Sequence, residues 1–123
     1  MPLPFTAVIR PGQPLHDQVV FAVTKAIVTG QLRAGDPFPS VRMLSQELRI
    51  NPNTAQKIVA TLVERDLLDV RPGIGTVVVD WQPSASPAQR ELVAALIERL
   101  AVEAKYLRLD VSEVIDALTR QWK

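Results

Sequence analysis

The amino-acid sequence predicts a mainly α-helical fold with one small β-hairpin. Three observations carry that expectation. Apolar residues recur at helical spacing in five segments. Ser, Asn or Asp stands just ahead of four of them, where a helix start is best capped. Two β-prone runs flank a single Pro-Gly turn.

Pro11-Gly12-Gln13-Pro14 interrupts the chain, and a helix follows with Leu15, Val19, Val23, Ala26 and Ile27 on one stripe. Gly30 is placed to end it as a left-handed cap. Leu32 to Pro39 contains Gly35, Pro37 and Pro39, so it must be loop or a short extended piece. Ser40 caps a second, short helix that turns Val41, Leu44 and Leu48 inward. Asn51-Pro52 pairs a capping side chain with the residue that suits the first helical position. A third helix should run from there to about Arg65, with Ala55, Ile58, Val59, Leu62 and Val63 inside. Leu67–Arg71 and Thr76–Val79, joined by Pro72-Gly73-Ile74-Gly75, read as a hairpin. Helix, helix, tight turn, helix, hairpin is the layout of a winged helix-turn-helix.

Gln82 to Pro87 is a polar, proline-rich connector, and Pro87 after Ser86 opens a fourth helix. Leu92, Val93, Leu96, Ile97, Leu100, Ala101 and Ala104 form its apolar face. At ~1.5 Å per residue, about 18 residues span roughly 27 Å. Asp110 and Glu113 form a capping box for a last helix, whose stripe is Val111, Val114, Ile115, Leu118 and Trp122. The expected organisation is a winged helix-turn-helix over residues 1–80, a linker over 81–87 and a short two-helix dimerisation tail over 88–123. Such a tail can hardly bury both apolar faces alone, so a second copy is its natural cover.

Composition excludes several classes of function. The 123 residues are 47% hydrophobic, which allows a core, yet no apolar run approaches the ~18 residues that span a bilayer. There is no cysteine, hence no disulfide, thiolate metal site or cysteine nucleophile. His16 is the one histidine, too few for a zinc site. No Gly-x-Ser-x-Gly elbow and no glycine-rich phosphate loop occur. The expectation is a chain that is not an enzyme and carries no metal or cofactor. Met1 to Arg10 has neither a basic start nor a small-residue cleavage site, and is read as mature protein. A soluble, cytoplasmic chain with no membrane partner is expected.

Charge is less telling. Residues 1–80 hold eight Lys/Arg and seven Asp/Glu, and residues 81–123 hold six of each, which gives the net +1. A basic face can come only from where these charges are placed. On a wheel of ~100° per residue, Asn53, Lys57 and Thr61 oppose the apolar side of the third helix, with Thr54 and Gln56 on its flanks. Amides can read adenine in the major groove, and a helix N-terminus favours phosphate. An ordinary solvated face would look the same. Arg42, in the first turn of the second helix, can reach a DNA backbone that this helix crosses; Ser40 is a cap that can also meet a phosphate. At the hairpin tip, Gly73 and Gly75 allow close backbone approach and Arg71 supplies charge, although a plain turn needs glycines equally. The small net charge leaves open a winged-helix module that binds protein. Trp81 and Trp122 leave open a small-molecule effector held near the tail.

Several motifs occur in order: Pro14-Leu15-x-x-Gln18, Gly30, Leu32-x-x-Gly35, Pro39-Ser40-Val41-Arg42-x-Leu44, Asn51-Pro52-Asn53-Thr54 and Gly73-x-Gly75-Thr76. Over about residues 11–79 they resemble the GntR family of bacterial regulators, and the short helical tail is similar to that of its YtrA-type subfamily. The resemblance implies a homodimer on double-stranded DNA at an inverted-repeat operator, usually repressing, often for a transporter operon. Carried over by position, it implies DNA contacts at Arg42, Asn51, Pro52, Asn53, Thr54, Gln56, Lys57 and Gly73. Pairing of the two copies is expected through Leu92, Leu96, Leu100, Val114 and Leu118. His16 stands where the family more often has tyrosine, and Pro52 where some relatives have arginine.

Overall fold

The computed structural model describes residues 3–80 and 85–122. In chain order they form α1 (Leu15–Val28), α2 (Val41–Leu48), α3 (Pro52–Glu64), β1 (Leu68–Arg71), β2 (Gly75–Val78), α4 (Pro87–Tyr106) and α5 (Val111–Gln121). The expected order of elements is therefore the observed one: a three-helix helix-turn-helix with a hairpin wing, then two further helices. The chain divides into two units, Met1–Trp81 and Gln82–Lys123.

In the first unit α3 packs against both α1 and α2. Val19 and Val23 of α1, Leu44 of α2 and Ile58 and Leu62 of α3 are fully buried, together with Leu68 and Val78 at the base of the hairpin. Each such side chain contributes about 1.5–3 kcal/mol of apolar burial. The strands pair antiparallel, Leu68 opposite Val78 and Arg71 opposite Gly75.

The chain between α1 and α2 is an extended piece that joins this hairpin. Gly35 N–H donates to the Val78 carbonyl (2.8 Å), Val78 N–H to Asp36 (2.9 Å) and Phe38 N–H to Thr76 (2.8 Å). Pro37 and Pro39 have no N–H to offer, and this pairing needs none from them. Phe38 then stacks on Phe5, with ring centroids 5.8 Å apart and planes 4° from parallel. Gln18 clamps the same N-terminal segment, accepting from Arg10 N–H (2.6 Å) and donating to the Arg10 carbonyl (2.9 Å). Phe5 thus belongs to the core, with Leu3 and Ala7 packed against it, which no periodicity announced.

Helix starts follow the sequence. Ser40 accepts from Met43 N–H (3.2 Å) and Asn51 from Asn53 N–H (2.8 Å). Ser86 and Gln89 cap α4 reciprocally, as Asp110 and Glu113 cap α5. The Ser112 hydroxyl, then the Ser112 amide, hold the Asp110 carboxyl below its ordinary pKa. Helix ends follow it less well. Gly30, at φ 84°, closes α1 as expected, but α2, α3 and α4 end on Arg49, Asp66 and Arg108 with φ of 55°, 58° and 57°. Each of these non-glycine residues bears roughly 1–2 kcal/mol of left-handed strain.

In the second unit Ala104 is the one described side chain that is buried, and none of α5 is. Of the residues expected to pair two copies, Leu92, Leu96, Leu100 and Leu118 are exposed. Val114 is half-buried and lines a cleft of about 330 Å³ between α4 and α5 with Ile97, Ala101 and Ala104. Trp122 is exposed, whereas Trp81 and most of the expected linker lie outside the described residues. No described helix is long and apolar enough to cross a membrane.

Candidate DNA interface

Two helix N-termini of the first unit carry the residues singled out by sequence. Ser40 and Arg42 open α2 and are exposed; Asn51, Pro52, Asn53, Gln56 and Lys57 open α3 and are exposed, with Thr54 half-buried. The two helices are joined by Arg49, Ile50 and Asn51 alone, a turn made possible by the left-handed Arg49. Ile50 N–H donates to the Ser45 carbonyl (3.0 Å), which locks the turn to the end of α2. α3 is therefore fixed relative to α2 by both packing and turn.

The placement of charge that the composition left open is visible here. Neither helix has an acidic residue in its first turn. From Ser40 to Val63 the charged residues are Arg42, Arg49 and Lys57 against Glu47. The positive ends of two helix dipoles are thus reinforced by cations and not neutralised, the arrangement that suits phosphate. The capping oxygens are already used: Ser40 Oγ by Met43 and Asn51 Oδ1 by Asn53. A hydroxyl that accepts can still donate, so Ser40 keeps a proton for a phosphate oxygen.

The wing tip is a turn from Arg71 to Ile74, closed by Ile74 N–H to the Arg71 carbonyl (3.1 Å). Pro72 in its second position and Gly73 at φ 76° in its third match a type II turn. Gly73 is needed there for its backbone angle, since an added Cβ would meet nothing within 4 Å. Arg71 is exposed, but its Nε is 3.3 Å from Asp69 Oδ2. An exposed pair of this kind is worth about 0–1 kcal/mol, little enough to be exchanged for a phosphate.

Sequence reasoning placed one side chain wrongly. The wheel sets Thr61 on the open face of α3, in a row with Asn53 and Lys57. In the structure Thr61 is half-buried, with its Oγ 2.8 Å from His16 Nε2 of α1. α1 covers the end of that row, which a wheel drawn for one helix cannot show. Nor did the sequence single out Ile74, an apolar side chain exposed at the wing tip between two glycines. Among the described residues no cluster of three His, Cys, Asp or Glu could hold a metal ion.

The model of the bacterial regulatory proteins of the gntR family matches residues 8–78, more than half of the chain and all of the first unit's regular elements. This chain belongs to the GntR family. As a GntR protein it is a DNA-binding transcription regulator, not an enzyme. Among its GntR-like relatives is YhcF of Bacillus subtilis (strain 168), an uncharacterized HTH-type transcriptional regulator. The two are 24% identical over 107 residues, covering 87% of this chain and 88% of YhcF. The HTH-type transcriptional repressor YtrA of the same strain is 22% identical over 106 residues, covering 85% of this chain and 82% of YtrA. In fold, the chain resembles a crystal structure of a transcriptional antiterminator from Listeria monocytogenes EGD-e, with a TM-score of 0.83 and 21% identity over 97% of this chain and 90% of that one. At that identity the likeness is one of fold alone.

Proposed function

We propose that this GntR protein is a repressor that binds an inverted-repeat operator as a homodimer. Its target is proposed to be a transporter operon, on the resemblance of the short tail to the YtrA type. DNA is read by Ser40, Arg42, Asn51, Pro52, Asn53, Thr54, Gln56 and Lys57 and steadied by Arg71 and Gly73 of the wing. The observation that carries this is that two consecutive helices, α2 and α3, have exposed N-termini with no acidic residue in the first turn and with Arg42 and Lys57 exposed on their opening two turns. Repression is supported by the similarity to a named repressor. Pairing through the tail is supported by the number of large apolar side chains that the tail leaves uncovered. Helix-turn-helix proteins commonly bind two half-sites as dimers, so a self-pairing tail fits a DNA reader.

Arg42→Ala and Lys57→Ala test the assignment of the face. Each substitution should remove one cation–phosphate contact, lowering affinity for the operator duplex roughly 10- to 100-fold. Each should also make the slope of log affinity against log salt shallower by about 0.9. Circular dichroism should stay unchanged, because both side chains are exposed. Fluorescence anisotropy on a selected operator duplex reads both quantities. Unchanged affinity and slope in both variants would remove this face from DNA contact and favour a surface that binds protein.

A further inference from the structure

We propose that His16 is a positioning residue for DNA reading, setting the rotation of α3 through Thr61. The inference rests on the functional reading above and adds a residue that makes no DNA contact of its own. Asn53, Lys57 and Thr61 are spaced i, i+4, i+8 and so form one row along α3. The first two members are exposed at the DNA-facing end. The third is held from outside the helix: Thr61 Oγ lies 2.8 Å from His16 Nε2, across 45 residues of sequence. Thr61 Oγ also donates to the Lys57 carbonyl at 2.9 Å. With its proton used there, the hydroxyl accepts from the imidazole. The link therefore runs from the first turn of α1, through Thr61, to the backbone of Lys57 itself. Asp17 Oδ1 lies 3.1 Å from Nδ1 at the other edge of the ring, where it can accept only when that nitrogen carries a proton as well.

The turn from α2 holds the start of α3. Farther along, the buried side is Ala55, Ile58, Val59 and Leu62, an aliphatic surface, and the His16–Thr61 bond adds a directional contact to it. With side chains about 5–6 Å from the axis, a rotation of about 20° moves a side-chain tip by about 2 Å. A recognition constellation must hold within about 0.5 Å and 10–20° to work. Base reading is sensitive to that error, whereas contacts from long, flexible cations to phosphate are not. His16 therefore governs discrimination between sequences more than attachment to DNA.

The test compares full-length variants on two duplexes, an operator selected from a random pool and a scrambled duplex of equal length and composition. His16→Ala is expected to lose about tenfold in operator affinity with less than a twofold change on the scrambled duplex and no change in salt slope. Thr61→Val should do the same. The double variant should lose about tenfold and not a hundredfold, because both changes break one link. His16→Gln, whose amide nitrogen reaches about as far as Nε2, should recover most of the loss. Equal losses on both duplexes would mean that His16 only stabilises the fold and would overturn the proposal. So would wild-type discrimination in folded His16→Ala and Thr61→Val. A wild-type protein that does not discriminate between the duplexes would overturn the functional reading, and this inference with it.

Discussion

Replacing Leu96 and Leu100 together by aspartate is expected to turn the protein into a monomer and to weaken operator binding by roughly 10²- to 10⁴-fold. The two leucines lie one helical turn apart on α4 and are 66% and 46% exposed in the single chain. Their neighbours Leu92 and Val93 are exposed as well, so the stripe is continuous. A monomeric protein seldom leaves an apolar surface of that extent in water. In the proposed dimer the second half-site is bound intramolecularly, and the expected loss is that gain in effective concentration. Two carboxylates on the seam would have to be desolvated for the copies to meet, which burial of the remaining apolar area cannot offset. The reading helices belong to the compact unit Met1–Trp81, which does not include α4, so each monomer should still bind a single half-site weakly. Light scattering reads the mass and anisotropy the affinity. A dimer that persists in the double variant places the interface elsewhere.

Leu62→Ala should have the largest effect on the reader itself. Leu62 is fully buried in α3. Its carbonyl also accepts from Leu67 N–H (3.0 Å), the bond that turns the chain out of α3 toward the wing. Large-to-small substitutions at such sites cost about 2–5 kcal/mol, from lost transfer energy and the cavity left behind. At about 0.05–0.15 kcal/mol per residue, a unit of this size has only about 4–12 kcal/mol in total. The variant should therefore melt well below the wild type, and a fraction of it should be unfolded at 37 °C. Urea titration checks the magnitude; a loss below about 1 kcal/mol would mean that Leu62 does not occupy the centre of the core.

The elements and most of the candidate site were legible because their signals are local. Asn51-Pro52, Ser40 and the Asp110–Glu113 pair act on backbone groups two or three residues away, and the structure uses them as read. Pro72-Gly73 likewise declares its own turn. What escaped depends on residues far apart in sequence. Phe38 stacks on Phe5, and Asp36 pairs with Val78, only because the fold brings them together. The glycine and prolines of Leu32–Pro39 left loop or a short extended piece open; the extended piece forms, and its pairing draws on Gly35 and Phe38 for N–H groups. Thr61 was misplaced because its surroundings are decided by α1 and not by α3. The ends of α2, α3 and α4 carry no glycine to mark them; Arg49, Asp66 and Arg108 take the left-handed angles there, and the next residue donates back into the helix end, Ile50 to Ser45, Leu67 to Leu62 and Leu109 to Ala104.

In the proposed dimer two copies of this chain read two copies of one short sequence. Selection of random duplexes with the purified full-length protein, followed by measurement of the stoichiometry on the enriched site, checks this. The expected outcome is an inverted repeat with half-sites about 10 base pairs apart, or a multiple of that, bound by two chains. A pool with no enriched sequence, or a single unrepeated site bound by one chain, would contradict it.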